Sequence, residues 1–423
     1  MSTSTAETAH GDIVIIGTGI IGLSTAYYLT ESGNTKAENI HLLDSSPQLL
    51  SCASGFAGGF LAADWFAPSN ASLGTLSYKL HKDLATAHNG RATWGYSSST
   101  GISLSQIQDS EAAVGGSGED WLADGTSRVK VVSKDGKNET GIGPLWLKDA
   151  GEGSLEEISA EGAVAQIDPL RFCQWLLERC RERGVNIYHP VRAISVSHDE
   201  NGLLNGVRIS EDGLERDMPC ARLVITSGAW TPRVFSTLFP KSRTRIPIAH
   251  LAGHSLLIQN QHYNREEEDK EVCHAVFATD TLGFSPEWFS RIGGELYLAG
   301  LNTTRIPLPE VATGAKVDCK AIEQMKQCAA EMIGAVEGKP MEIKREALCF
   351  RPVTGSGRPL LCRIPDAQLG GVKTHKAGEG GVYIAAGHGA WGISQAPGTG
   401  LVLSELIEGR QPSANISALG LPS

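Results

Sequence analysis

"GDIVIIGTGIIGLSTAYYLTESG", residues 11–33, with its continuation "NTKAENIHLLDSS", residues 34–46, decides how the rest of the chain is read. Ile13 to Ile16 form an apolar run of strand length. Gly17, Gly19 and Gly22 then punctuate a turn, and Leu23 to Leu29 carry helix-forming residues up to Gly33. A second apolar run, Ile40 to Leu43, ends in Asp44. The order strand, glycine turn, helix, strand, acid has a definite physical job. Gly17 permits the tight turn, Gly19 lets backbone approach a pyrophosphate, and Gly22 lets helix and strand pack closely. The helix N-terminus, entered through Thr18, Ile20 and Ile21, offers N–H groups and a positive dipole end to phosphates. Asp44 stands 22 residues beyond Gly22, with Ser45 beside it, where a carboxylate can accept hydrogen bonds from ribose hydroxyls. A dinucleotide site is expected here.

The remaining composition bounds the partner. A chain of 423 residues exceeds one ordinary hydrophobic core, so two domains or a domain with a large insertion are expected. The formal net charge of -10 leaves no basic stripe to neutralise phosphates, which disfavours nucleic acid. Nine cysteines without a C-x-x-C pair or Cys/His ligand spacing argue against a disulfide framework and a structural zinc. The opening "MSTSTAETAHGD" lacks the charge-then-apolar order of a signal peptide, and nowhere do about 18 apolar residues run together. The last three residues, Leu421, Pro422 and Ser423, are not a peroxisomal address. The expectation is a cytoplasmic protein acting on small molecules, with no nucleic acid, membrane or metal.

Along the chain, Leu73, Leu76, Leu80 and Leu84 repeat at helical spacing, and "WGYSSSTGISL" (94–104) and "VGGSGED" (114–120) read as strands and loops. Asp168-Pro169 opens a helix that Gly184 ends, Val185 to Tyr188 begin a strand, and "DENG" (199–202) turns a hairpin. "ARLVITSGAWTP" (221–232) is another buried strand with a small-residue turn. "HSLLIQ" and "ELYLAGLNTT" alternate as in an antiparallel sheet, beside one helix from Cys319. "NREEEDKE" (264–271) reads as a solvated loop. The chain closes with strand, glycine turn and helix again, "GGVYIAAGHGAWGISQAPGTG". Two interleaved segment types imply two discontinuous domains.

Two further stretches bear on chemistry. "SCASGFAGGFLAADW" (51–65) is packed with small residues, as a loop pressed against a planar ring system would need to be. "ALCFRPVTG" (347–355) places Cys349 and Arg351 on one face of an extended segment, so they can serve one site together.

With those stretches in view, the chain resembles the FAD-dependent D-amino acid oxidase superfamily, in the branch with glycine oxidase, monomeric sarcosine oxidase and D-amino acid dehydrogenase. "GTGIIG" with Asp44, "ASGFAGG", "DPLRFCQWLL" with "VRAISV", "VITSGAWTP", and "LCFRPVTGSGRPLL" leading to "AAGHGAWGISQAPGTG" carry the resemblance in family order. "GGFLAADW" further resembles a fungal glycine-oxidase-like subgroup. The resemblance implies an α/β fold with a discontinuous Rossmann-like FAD-binding domain (1–68, 155–240 and 346–423). It pairs this with an antiparallel-sheet substrate domain (69–154 and 241–345), as in glutathione-reductase-type and D-amino acid oxidase-like proteins. It places FAD along Gly17 to Gly22, near Asp44, Ser45 and the backbone of Val191, past Ser227, Gly228 and Trp230. The flavin would lie between Ser54, Gly55, Ala57, Gly58 and Gly59 and the closing turn of Gly387, Gly389, Ala390, Trp391, Gly392 and Ile393. Backbone N–H groups of that turn would face the flavin N1/O2 edge and favour its anionic reduced form.

In the branch with glycine oxidase the arginine at the place of Arg351 grips the substrate carboxylate, which a guanidinium can hold with two parallel hydrogen bonds. His388 would orient substrate, shape the ring's hydrogen bonding, or cap local backbone. At the place of Cys349 one branch joins flavin to a cysteine and the other has a small residue, so this chain combines one branch's thiol with the other's arginine; non-covalent FAD is favoured. Trp391 and Trp65 either wall the pocket or belong to the core. His250 and His254 share a strand without a third ligand type, so a satisfied or pocket-lining pair is expected rather than a metal site. No lysine occurs in "CHAVFATDTLGFSPEWF" (273–289), from which sarcosine-oxidase-like enzymes draw the lysine that promotes reaction with oxygen, so the electron acceptor is O2 or another species. The implied reaction is oxidation of the C–N bond of a small carboxylated amine to an imine. Outside Arg351 nothing tests for nitrogen, so oxidation of a non-amine metabolite, or a flavoprotein acting through partners, stand as alternatives.

Overall fold

A computed structural model describes residues 11–105, 143–148, 154–266, 272–279, 284–334 and 336–422. The "VGGSGED" stretch and part of "NREEEDKE" lie outside them. The opening unit folds as its pattern dictates: strand Ile13–Ile16, helix Ile20–Glu31, strand Ile40–Leu43. These strands join a six-stranded sheet in the spatial order Leu360–Ile364, Gly381–Ala386, Arg222–Ile225, Ile13–Ile16, Ile40–Leu43, Asn186–Tyr188. Every pairing in it is parallel except that of Leu360–Ile364 with Gly381–Ala386.

Alternation along the central strand explains why both faces are apolar. Ile13 and Ile15 pack into a cluster with Leu23, Leu29, Phe172, Leu176 and Leu403 from helices Ile20–Glu31, Pro169–Glu182 and Gly392–Ile407. Val14 and Ile16 face the opposite way, against Leu204, Val207, Ile209 and Met218 of a three-stranded antiparallel sheet and Phe235 and Leu238 of helix Thr231–Leu238. Helix Pro169–Glu182 starts where expected, because the Asp168 carboxylate accepts from the backbone N–H of Leu170 at 2.9 Å. The nine cysteines are all free thiols.

The second layer is a nine-stranded sheet. Its path runs Ile343–Val353, Ala249–Gln259, Glu295–Thr303, Glu287–Arg291, Cys273–Ala278, Ser97–Ser105, Val164–Gln166, Phe60–Ala62, and the ninth strand, Ser154–Glu157, pairs with Ser97–Ser105 off that path. The sheet is mixed rather than purely antiparallel, since Cys273–Ala278 runs parallel to Ser97–Ser105. Helix Cys319–Met332 packs on it through Ile322, Met325 and Cys328. Two features of this arrangement position the site: the strand that carries Arg351 belongs to the large sheet, and the chain crosses from one sheet to the other through residues 44–59.

Candidate active site

A cavity of about 370 Å³, cofactor-sized by the usual range, runs from the first glycine turn to the strand bearing Arg351. At one end the turn is built by steric necessity. Gly17 sits at φ +114, and a side chain there would meet the Thr226 carbonyl oxygen at 2.6 Å; a Cβ on Gly22 would lie 2.0 Å from the Gly17 oxygen. The helix that follows has no cap from its own N-cap residue, Gly19, and no acid in its first turn; its N-terminus lies on the cavity wall, with its first N–H, that of Ile20, taken by Ser54 Oγ. The buried Thr18 hydroxyl has no hydrogen-bond partner. Both oxygens of Asp44 accept backbone N–H groups, Thr18 at 3.0 Å and Ser46 at 2.9 Å. Burial raises the Asp44 pKa, and those two N–H groups oppose the rise. The Asp44 backbone also receives the Val191 N–H, which brings Val191 onto the wall.

The loop 51–59 closes one side. Its carbonyls are gripped from the large sheet: Tyr297 Oη donates to Phe56 O at 2.9 Å, Arg291 Nη2 to Ala57 O at 2.7 Å, and Gln166 Nε2 to Gly58 O at 2.7 Å. Arg291 is itself buried and packs over the Tyr297 ring. On the other flank Ser54 Oγ accepts from the Ile20 N–H at 3.0 Å, so one hydroxyl ties this loop to the dinucleotide-type helix.

At the far end, Cys349 and Arg351 both line the cavity. The Arg351 guanidinium lies across Gly253 on the neighbouring strand, where a Cβ would fall 1.8 Å from Nη1. Nη1 donates to Asn302 Oδ1 at 2.7 Å. Asn302 follows Leu301, which holds φ +51, a left-handed conformation that costs a β-carbon-bearing residue energy and tends to mark functional sites. The pairing of its strand slips between Ala252 and His254, opposite this point. Among the described residues no carboxylate lies within ion-pair distance of Arg351, so its charge faces the cavity with a neutral amide as its fixed partner. Burial pushes the Cys349 thiol pKa up, with Arg351 and Arg345 opposing, which favours the protonated thiol.

The structure sorts the expected residues into those on the wall and those behind it. Gly17, Gly19, Ile20, Ile21, Asp44, Ser45, Ser54, Ala57, Gly58, Val191, Ser227, Gly228, Trp230, Cys349, Arg351, His388, Gly389, Ala390, Gly392 and Ile393 line the cavity. Thr18, Gly22, Gly55, Gly59, Gly387 and Trp391 stand behind it. Side chains on Gly55, Gly59 and Gly387 would strike Leu50 O, Ile167 O and the Thr354 methyl, so these glycines shape the wall without forming it. Trp391 packs edge-on to Phe66 at 4.9 Å, and Trp65 packs on Phe60 and Phe277, so both are core. His388 Nε2 lies 3.1 Å from Thr399 Oγ1, and burial lowers its pKa to about 4, which keeps it neutral. His254 has Nε2 accepting from the Asp318 N–H at 3.1 Å and His250 Nε2 donates to Ile306 O, so the pair is satisfied by backbone. Residues 280–283, within the stretch noted for its lack of lysine, lie outside the described residues.

Sequence reasoning missed Asn302, Arg291, Tyr297 and Gln166. None sits in a local motif, and each reaches its partner across a large sequence separation, 49 residues for Arg351 to Asn302 and 241 for Tyr297 to Phe56.

Comparison with known proteins gives concordant results. The profile of the family described as "FAD dependent oxidoreductase" (DAO) matches residues 12–406. A Schizosaccharomyces pombe protein with the name "Putative oxidoreductase C1F5.03c" is 30% identical over 426 residues, covering 96% of this chain and 97% of that protein. The fold is also similar to crystal structures of glycine oxidase from Geobacillus kaustophilus (TM-score 0.69, 18% identity, 97% of this chain and 98% of that one). The L-proline dehydrogenase of P. horikoshii is similar as well (TM-score 0.70, 16% identity, 97% and 96%).

Proposed function

Since this chain belongs to the DAO family of FAD-dependent oxidoreductases, we propose that it oxidises the C–N bond of a small carboxylated amine or amino acid to an imine. The observation that carries this reading is Arg351, a cation on the wall of the cavity whose fixed partner is a neutral amide. A carboxylate supplies the missing negative charge and matches the fork of donors, which fixes orientation as well as affinity. The names of the structural neighbours, glycine oxidase and L-proline dehydrogenase, are consistent with it.

The residues present fit FAD. The glycine turn, packed so tightly on the Thr226 and Gly17 backbone that Gly19 and the start of the helix lie on the wall, the acid-free first turn of that helix and the Asp44 carboxylate suit a pyrophosphate flanked by a ribose. When bound, FAD supplies a two-electron acceptor for the hydride on the carbon next to nitrogen. Arg351 then holds the carboxylate and leaves that carbon as the part of the substrate free to be presented. Phe289, Tyr297 and Ala299 wall the same region with mostly apolar surface and limit water. His388, neutral and tied to Thr399, holds the closing turn in place rather than carrying a proton. Attachment of FAD is non-covalent in this reading, because the protonated Cys349 thiol is a poor nucleophile. In this reading segments 1–68, 155–240 and 346–423 form the cofactor-binding domain, with Arg351 reaching the substrate from its edge, and 69–154 and 241–345 form the substrate-binding domain.

The test is anaerobic mixing of the holoenzyme with a panel of glycine, sarcosine, L- and D-alanine and L-proline, read as loss of the oxidised flavin absorbance. Bleaching by a member of such a panel, followed by recovery with O2 or an artificial acceptor, supports the reading and identifies the acceptor class. A flavin that stays oxidised across the panel while being bleached by a hydroxy acid counts against amine chemistry.

A further inference from the structure

The last long helix, Gly392–Ile407, begins on the cavity wall at Gly392 and Ile393 and contains Pro397. Proline has no backbone N–H, so the Ile393 carbonyl, four residues back, loses the acceptor role that an α-helix normally gives it. That carbonyl is buried in the first turn, where an unsatisfied acceptor is costly. His81 fills the gap. It projects from helix Pro68–Ala87 with 1% exposure, and its Nε2 lies 2.9 Å from Ile393 O. A carbonyl can only accept, so Nε2 carries the proton and donates. Ser77, one turn earlier on the same face, accepts the Gly398 N–H through Oγ at 3.0 Å. Ser394 Oγ, between these points, accepts the Ala62 N–H at 3.1 Å from the strand that follows the 51–59 loop.

We infer that His81 is a positioning residue: it supplies the donor to Ile393 O that Pro397 cannot, while Ser77 takes the next N–H, that of Gly398, and so it holds the cavity-facing first turn of the last helix in register with the cofactor seat. His81 is not itself a lining residue of the cavity. Its action is through Ile393, whose carbonyl it anchors while the other end of that turn faces the cavity. The effect on cofactor rests on the proposed FAD seat; the hydrogen-bond exchange with Pro397 does not.

This exchange makes the inference testable by compensation. Replacing Pro397 with alanine restores an N–H at the position that can bond Ile393 O, and so removes the need for His81. In FAD titrations of deflavinated full-length protein, His81→Leu should weaken the dissociation constant about tenfold, because the turn relaxes in the FAD-free protein to expose the unmade Ile393 acceptor and must be re-formed, acceptor buried, when FAD binds. Pro397→Ala alone should stay within about twofold of the parent, and the double variant should return to within about threefold. Hydrogen exchange of the amides of residues 392–396 and 398 should follow the same order, fastest in His81→Leu and restored in the double variant. If His81→Leu does not fold, recovery of a folded, FAD-binding double variant supports the compensation, and failure of both overturns it. A His81→Leu protein with unchanged FAD affinity and unchanged exchange, or a double variant as impaired as the single, also overturns it. Failure of the parent protein to bind FAD would strike the proposed function instead, leaving the exchange pattern to decide on His81.

Discussion

Replacing Arg351 by methionine keeps an apolar stem of similar length and removes the guanidinium. The change leaves a bound carboxylate without its positive partner. Truncating one partner of a hydrogen-bonded, desolvated charge pair costs about 2–5 kcal/mol. Arg351 is only half-buried and Nη1 is already donating to Asn302, so the lower part of that range applies, about 2–3 kcal/mol. At about 1.4 kcal/mol per decade this is a loss of roughly 30- to 150-fold in carboxylate affinity. The assay needs no substrate: acetate and propionate are titrated into the holoenzyme and their binding is read from the flavin absorbance change. Acetamide is the control, since it has the shape but not the charge, and its weak binding should move little. Asn302→Ala should cost less, about fivefold, because it frees the guanidinium from one neutral hydrogen bond worth about 1 kcal/mol but leaves its charge. Acetate binding to Arg351→Met within twofold of the parent, with the flavin seated normally, refutes the clamp.

Other consequences follow from the same geometry. Asp44→Ala strips the Thr18 and Ser46 N–H groups of their acceptor and should weaken FAD retention by about 10- to 100-fold, measured by equilibrium dialysis; a fully loaded variant contradicts the ribose assignment. Arg291→Met leaves the Ala57 and Gly58 carbonyls short of donors and should lower the unfolding free energy by about 2–4 kcal/mol in chemical denaturation, with an unchanged value arguing that the loop is held otherwise. Acid precipitation should leave flavin in the supernatant, and Cys349→Ser should retain its full FAD content; yellow pelleted protein would show a covalent link. Burial lowers the pKa of both His81 and His388 from 6.5 to about 4. Between those values the unfolded chain takes up protons that the native protein does not, so stability is present above about pH 6.5 and is lost as pH falls toward 4, by up to roughly 3 kcal/mol per histidine. Asp44, whose pKa is raised, works with the opposite sign and offsets part of this loss above its ordinary 3.8. Calorimetric melting between pH 7 and 4.5 should therefore fall, and His388→Gln should fall less steeply.

Legibility in the sequence followed the range of the interactions. The strand, glycine turn, helix, strand and acid at 13–44 were readable because each residue's role there is set by neighbours within a few turns. The Asp168-Pro169 helix start and the closing turn before Gly392 were readable for the same reason. Arg351 and Cys349 declared a shared face through strand alternation alone. Asn302 could not be found that way, because what brings it to Arg351 is a slipped pairing and a left-handed Leu301 on another strand. The loss of Trp391 and Trp65 to the core has a similar cause: periodicity reports that an aromatic is buried, but only the packing of Phe66, Phe60 and Phe277 says against what. The mixed character of the large sheet was hidden because one parallel pairing, Cys273–Ala278 with Ser97–Ser105, joins strands far apart in sequence.

The loop 51–59 is where the two halves of the site become one. It leaves the six-stranded sheet after Asp44 and enters the nine-stranded sheet at Phe60. Ser54 fastens its beginning to the N-terminus of the helix that follows the first glycine turn. Tyr297, Arg291 and Gln166 fasten its end to the sheet that carries Arg351. The separation between cofactor cradle and arginine is therefore fixed by neither sheet alone, but by a short run of small residues held at both ends. Small side chains are needed there because Phe289 lies where a Cβ on Gly58 would be, at 2.5 Å. A bulkier loop would have to move away from the large sheet and release the carbonyls that Arg291 and Tyr297 hold, so the glycine and serine content of this stretch is a condition on the distance between the two functional ends as much as on the fit of a ring.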